Sequence, residues 1–181
     1  MKKIHTFVIL FIFSFSFIIS LIVYNNLKIN IEDNDTTHLG DVSIEAPPSI
    51  LLFNYINQYS KEYNIPKNIA FGVAHKETGY NGPFHWEYNP KQSSYANAYG
   101  AMQIQVPTAN MFSKKKLTKD DLLNDLELNV KLSMEILRYL KNKYGSWELA
   151  LGAYNTGKPI INQYAQQIVQ FKCNNKFKNP S

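Results

Sequence analysis

Residues 66–79 read PKNIAFGVAHKETG. Pro66 suits a first helical turn and Gly79 suits a helix end. Between them Ile69, Val73 and Glu77 recur at one-turn spacing, so they share one helix face, and two of the three are core residues. The pattern predicts a helix from Pro66 to about Thr78, with a carboxyl aimed at the interior or a cleft. Glu77 also falls in the last turn, at the negative end of the helix dipole. Partial burial and that dipole both disfavour the carboxylate and raise its pKa. A carboxyl that keeps its proton near neutral pH is what a general acid needs. A solvent-facing glutamate at a frayed helix end has the same local sequence, so the surroundings must decide.

Outward from this helix the pattern stays helical. Ser49 can cap a helix carrying Leu52, Ile56, Tyr59 and Tyr63. Residues 80–100 are rich in Gly, Pro, Asn, Ser and aromatics and read as a long loop. A short helix begins near Pro107. Leu126, Val130, Leu137 and Leu140 mark a long helix that stops at Gly145. Ser146 can cap the next, from Trp147 to about Tyr154, and Asn155-Thr156-Gly157 breaks it. A last helix carries Ile160, Ile161, Tyr164, Ile168 and Val169. No run of alternating strand pattern stands out, so the expected domain is mostly α.

The N-terminal part is different. Residues 4–23 are an apolar run behind Lys2 and Lys3, long enough to span a bilayer as a helix. The lysines should stay in the cytoplasm, which sends the rest of the chain outside. An uncleaved anchor and a cleaved signal peptide both fit, and both export the domain. Residues 24–48 are polar and acidic, end in Pro47-Pro48, and read as a linker. The expected organisation is thus a signal anchor or signal peptide (1–23), a linker (24–48), a folded domain (49–171) and a basic tail (172–181).

Charge and cysteine content narrow the classes. Residues 1–48 carry three lysines and five acids, a balance of −2, and the remaining sixteen basic and nine acidic residues give +7. A basic exported domain suits an acidic polymer or simply a solvated surface. Export and the lack of a recognition motif argue against nucleic acid. The single cysteine, Cys173, rules out an internal disulfide and a thiolate metal cage. His5, His38, His75 and His85 are scattered with no metal-ligand spacing, so neither metal nor cofactor is expected. His75 precedes Glu77 by two residues, projects to another side of the helix and reads as a packing residue.

The surroundings of Glu77 carry a resemblance. Glu77-Thr78-Gly79 is followed by Tyr88-Asn89-Pro90, then Gly100-Ala101-Met102-Gln103, and much later Ala153-Tyr154-Asn155. This ordered set resembles the soluble lytic transglycosylase family, over about residues 50–170. The resemblance implies a lysozyme-like single domain behind the membrane segment, and cleavage of peptidoglycan glycan strands. It implies Glu77 as the catalytic acid and base. It implies a substrate-binding set of Thr78, Ser94, Met102, Gln103, Tyr154 and Asn155, with Tyr154 beside Glu77 and able to hydrogen-bond it. Asn129 falls where the family often has Asn-Ile, although Val130 follows here.

One departure matters. Relative to the family pattern, about eight residues, Tyr80 to Glu87, are extra, and they hold Phe84, His85 and Trp86. These rings can stack on sugar faces or pack the loop down.

Most glycosidases flank the bond with two carboxylates. No second carboxylate is assured here, since Glu87 lies in the extra loop. The resemblance implies a non-hydrolytic route that leaves 1,6-anhydro-MurNAc ends. A lysozyme-like muramidase that uses water, and a non-catalytic cell-wall binding protein, are the alternatives. The expected location is the cell envelope, anchored in the inner membrane through residues 4–23 or secreted. An envelope-spanning machine is a candidate partner.

Overall fold

The structure, a computed structural model, describes residues 46–174 and Phe177. Residues 4–23 lie outside them, as does nearly all of the 24–48 linker. Among the described residues no helix is long and apolar enough to cross a membrane.

Among the described residues there are seven α-helices and one small hairpin. They are α1 (Pro48–Glu62), α2 (Lys67–Thr78), β1 (Ala98–Tyr99), β2 (Ile104–Gln105), α3 (Val106–Phe112), α4 (Lys119–Asn124), α5 (Leu126–Tyr144), α6 (Trp147–Thr156) and α7 (Gln163–Val169). The domain is mostly α, as the sequence pattern predicts. Its hub is α5, which packs against α1, α3, α4 and α6, while α7 rests on α6 and α2. Asp125 caps α5 by accepting from Leu128 N, and Gly145 ends it at φ 81°.

Helix α2 is buried on nearly every side: Ile69, Ala70, Phe71, Gly72, Val73 and Ala74 are all core residues. A helix apolar all round belongs inside a domain. Gly79 closes it at φ 71°. The Gly79 N–H donates to His75 O at 3.0 Å and Tyr80 N–H to Ala74 O at 3.4 Å, the paired bonds of a left-handed C-terminal cap. This cap turns the chain sharply after Glu77 and sends it into the 80–100 loop.

The structure corrects several boundaries. Helix α1 begins at Pro48, with Pro47 in the cap position, so Ser49 is not its cap. Ser49 is buried, and its hydroxyl donates instead to Pro83 O at 2.9 Å, tying the helix start to the extra loop. Helix α4 was not foreseen, although Thr118 and Asp121 form a full capping box. Helix α6 continues through Thr156 before Gly157 turns it off at φ 74°. Helix α7 starts only at Gln163, with Asn162 as its cap. Ile160 and Ile161 precede it in an exposed loop and are not part of its apolar face. Phe177, within the expected basic tail, packs against Phe71 with ring centroids 5.1 Å apart. The tail therefore contributes a side chain to the body of the domain.

The hairpin is a two-residue pairing, Ala98 opposite Gln105 and Tyr99 opposite Ile104. It is too short to give a period-two signal in sequence. Its connection is the Gly100-Ala101-Met102-Gln103 motif. Gly100 sits at φ 81°, and a Cβ there would lie 2.4 Å from both Asn129 Nδ2 and Leu122 O. Only glycine fits that left-handed, crowded position.

Candidate functional site

Four separate elements meet around Glu77. The end of α2 supplies the carboxyl, α7 supplies Tyr164 and α6 supplies Tyr154, whose hydroxyl reaches the hairpin turn at Met102, the residue before Gln103. Glu77 is half-buried on the face it shares with Ile69 and Val73, which are 2% and 0% exposed. Its pKa is raised from 4.5 to about 7, mainly by burial. The Tyr164 hydrogen bond and the nearby Lys76 charge pull the other way, so loss of water dominates.

The direct partner of Glu77 is Tyr164. Its phenol donates to Glu77 Oε1 at 2.5 Å. Burial and the Glu77 charge hold the Tyr164 pKa well above its ordinary value, so the phenol keeps its proton and serves as a donor. Sequence reasoning placed Tyr164 only on an apolar helix face. The available clue was chemical: a tyrosine among core positions needs a partner for its hydroxyl.

Tyr154 does not hydrogen-bond Glu77, contrary to the expectation from the motif. Its hydroxyl donates to Met102 O at 2.7 Å and lies 2.9 Å from Ser133 Oγ. It stays close enough for the Glu77 charge to help raise its pKa, after burial. Tyr154 thus ties α6 to the hairpin turn and to α5.

Met102 is likewise internal. Its side chain is 0% exposed, and its N–H donates to Asn129 Oδ1 at 2.9 Å. Asn129 Nδ2 donates to Tyr99 O at 2.9 Å and Leu122 O at 3.2 Å. One fully buried amide therefore holds the hairpin by two backbone groups and ties it to α4 by a third, which is why an asparagine stands in the first turn of α5. Met102 and Asn129 support the turn and are not open to a ligand.

Gln103 is the residue this support presents. It is partly exposed and adopts φ 51°, unusual for a non-glycine residue. Its Nε2 donates to Gln92 O at 3.0 Å and Gly100 O at 2.9 Å. Two carbonyls around one end fix the amide orientation, because only the nitrogen can donate to them. Oε1 is then the end left to accept from a ligand.

Thr78 is also spent inside the fold. It is 9% exposed, and Oγ1 lies 2.8 Å from Tyr88 Oη, 2.9 Å from Ala101 O and 3.1 Å from Ala74 O. It clamps the end of α2 to the hairpin turn and to Tyr88, and so positions Glu77 indirectly. Ser94 is exposed and accepts from Ala98 N at 3.3 Å in the approach to β1. Asn155 is exposed and accepts from Asn162 Nδ2 at 3.2 Å, bridging α6 to the start of α7. Of the expected set, Gln103 and Asn155 offer polar atoms near the surface, while Thr78, Met102 and Tyr154 brace the site from within. His75 Nδ1 donates to Tyr80 O at 3.0 Å and its ring packs on Phe171, a packing role as expected.

The backbone of this site is closely fitted. A Cβ on Gly152 would lie 1.7 Å from Ile160 O. The loop leading to Tyr164 therefore rests directly on the α6 backbone. A Cβ on Gly72 would meet Ile168 and Phe171 at 3.0–3.3 Å, where α7 crosses α2. Small residues at both crossings bring Tyr164 within reach of Glu77. Among the described residues no group of three His, Cys, Asp or Glu side chains forms a metal cage.

Comparison with known proteins is informative at the family level. The model of the transglycosylase SLT domain matches residues 54–177. The chain is similar to the 70-kDa soluble lytic transglycosylase of Escherichia coli, at 25% identity and TM-score 0.49 over 64% of this chain and 18% of that one. The values are the same for a 70-kDa soluble lytic transglycosylase in complex with bulgecin A. An inactive mutant of the lytic transglycosylase Slt from Pseudomonas aeruginosa gives 18% identity and TM-score 0.44, over 57% of this chain and 16% of that one. The chain thus spans less than a fifth of the length of these solved proteins. No curated protein matches it.

Proposed function

Because the chain belongs to the transglycosylase SLT domain family, we propose that it is a lytic transglycosylase that cuts the β-1,4 bond after N-acetylmuramic acid in peptidoglycan. Glu77 is the single acid and base. The observation that carries this reading is a half-buried carboxyl with its pKa pushed up to about 7, held in place by a phenol donor. About half of such groups carry a proton at neutral pH, ready for the glycosidic oxygen.

The chemistry balances with one carboxyl. Glu77 gives its proton to the leaving oxygen as the C1–O bond breaks. The carbonyl oxygen of the sugar's own acetamido group stabilises C1. The Glu77 carboxylate then takes the proton of the 6-hydroxyl, whose oxygen bonds to C1. The product is a 1,6-anhydro ring, Glu77 is protonated again, and no water is consumed. Among the described residues, the groups that shift Glu77 are Tyr164 and Lys76, neither of them a second carboxylate. Tyr164 holds Glu77 and lends a proton-bearing donor to the carboxylate formed midway. In this reading Gln103 Oε1 and Asn155 accept from or donate to the acetamido side chains, supported by their polar atoms near the surface. Thr78, Met102 and Tyr154 keep the turn and the helix end in register. Ser94 lies further along the loop, where a neighbouring sugar would pass.

This reading places the domain in the cell envelope, with residues 4–23 as anchor or cleaved leader. An anchored enzyme would cut locally, as an envelope-spanning machine requires. The test is mass spectrometry of peptidoglycan digested by the chain, with Glu77→Gln beside it. Anhydro-ended products, one water lighter than hydrolysis products and absent with the mutant, are expected. Reducing ends would establish a muramidase instead. No cleavage by folded protein would leave a cell-wall binding role.

A further inference from the structure

The extra loop presents two large rings to solvent. Phe84 is 53% exposed and Trp86 60% exposed. They form an edge-to-face pair with centroids 5.8 Å apart and planes at 69°. Side chains of this size are normally buried, and an exposed aromatic pair points to a partner.

The loop holds the pair firmly. Tyr80 at its start is 0% exposed, and its hydroxyl donates to Ser49 O at 2.7 Å. Ser49 returns the contact to Pro83 O at 2.9 Å. His85 N–H donates to Gly82 O at 3.2 Å and Tyr88 N–H to His85 O at 2.9 Å. The His85 ring packs on Tyr88 at 5.5 Å. Rings carried by a tied loop lose little freedom when a ligand stacks on them.

The loop is also mounted on the site. Tyr88, at its end, reaches Thr78 Oγ1 at 2.8 Å, directly beside Glu77. Trp86 stands two residues from Tyr88, which keeps their Cα atoms within ~7 Å. The ring-bearing loop thus leaves the end of α2 at Tyr80 and returns to it at Tyr88.

The chemistry around the rings selects the partner. Residues 77–90 contain two glutamates and no Lys or Arg. The flanking cations are engaged elsewhere, Lys76 with Gln167 at 2.7 Å and Lys91 with Asn124 at 3.0 Å. An anionic bilayer attracts basic clusters, which this patch lacks. Exposed Asn81, Glu87 and Asn89 flank the rings in sequence and bring uncharged and acidic polar groups to the same loop. Electron-rich ring faces suit the C–H face of a pyranose, and such polar groups suit its hydroxyls.

We infer that Phe84 and Trp86 form a sugar-stacking platform that holds the glycan strand away from the cut, outside the residues that act on the bond. The inference rests on the proposed glycan substrate, but its test does not depend on cleavage.

The experiment measures retention of the full chain by purified peptidoglycan sacculi, on a Glu77→Gln background that prevents digestion. Phe84→Ser with Trp86→Ser should lower affinity about tenfold, equivalent to about 1.4 kcal/mol. Trp86→Tyr should keep most of it, because a ring face remains. Trp86→Ser alone keeps the test open if the double variant misfolds. Unchanged affinity with an unchanged thermal midpoint overturns the platform. Loss of binding to phosphatidylglycerol-containing vesicles with sacculus binding intact also overturns it and assigns the rings to the membrane. Ring-dependent sacculus binding by a chain that leaves no anhydro ends would sink the proposed reaction and leave the platform standing.

Discussion

Tyr164 donates its phenolic hydrogen to Glu77 at 2.5 Å, across 87 positions of sequence. The bond joins α7 to the end of α2 and opposes the burial that raises the Glu77 pKa. Tyr164→Phe removes the donor while keeping the ring. A hydrogen bond to a charged group contributes about 1.5–3 kcal/mol. Its loss should raise the Glu77 pKa further and move the alkaline limb of the pH–rate profile upward by about one pH unit. The maximal rate should fall at least about tenfold. A rate loss with an unmoved limb would show that Tyr164 acts by packing alone.

Glu77 should govern the pH dependence of both activity and stability, and both should fall as pH rises. Its acid form is lost as pH rises through about 7, so the wild-type rate should decline above neutrality. For stability, the folded carboxyl binds a proton more tightly than the unfolded one. Between about 4.5 and about 7 the native state holds more protons, so stability falls as pH rises through that window. Glu77→Gln removes this penalty. It should abolish cleavage yet raise the thermal midpoint more at pH 8 than at pH 4. The stabilisation should be at most about 3 kcal/mol for a shift from 4.5 to about 7. Equal midpoints at both pH values would mean that Glu77 is solvated as an ordinary carboxylate.

Asn129→Ala should unfold the turn that carries Gln103. The substitution strands the Met102 N–H and the Tyr99 and Leu122 carbonyls in a site where Asn129 is 0% exposed. Each orphaned group costs about 1–3 kcal/mol, less whatever water recovers. Chemical denaturation should show a loss of roughly 3 kcal/mol or more. A change below 1 kcal/mol would mean that the turn holds itself.

Gly152→Ala is a probe of the loop before α7. The new methyl would overlap the Ile160 carbonyl oxygen, which belongs to the backbone and cannot rotate away. Overpacking of this kind costs about 1–3 kcal/mol. Because the loop leads to Asn162 and Tyr164, the variant should also lose activity at temperatures where it remains fully folded. Wild-type activity in the folded variant would show that the loop moves independently of Tyr164.

Much of the frame was legible because its signals are local. Gly79 and Gly145 end α2 and α5 at the positions read from sequence, since a left-handed cap is specified by one residue. Ser146 caps α6 as read. The face of Ile69, Val73 and Glu77 follows from helical period alone. The capping box of Thr118 and Asp121 is an equally local signal and marks the start of α4 within four residues. Ile160 and Ile161 misled: apolar residues at helical spacing extended α7 backward into a loop where both are exposed.

The partners within the site were not legible. Sequence placed Glu77 on an inward face near a helix end and gave the ordered motifs that surround it, because period, caps and spacing act within a few residues. Tertiary structure alone decided that Tyr164, and not Tyr154, holds Glu77, and that Thr78 and Met102 turn inward while Gln103 faces out. Those choices depend on hydroxyl and amide groups meeting across 23 to 87 positions of chain. Such meetings are fixed by close approaches at Gly72, against the Ile168 and Phe171 side chains, and at Gly152, against the Ile160 backbone of the loop before α7.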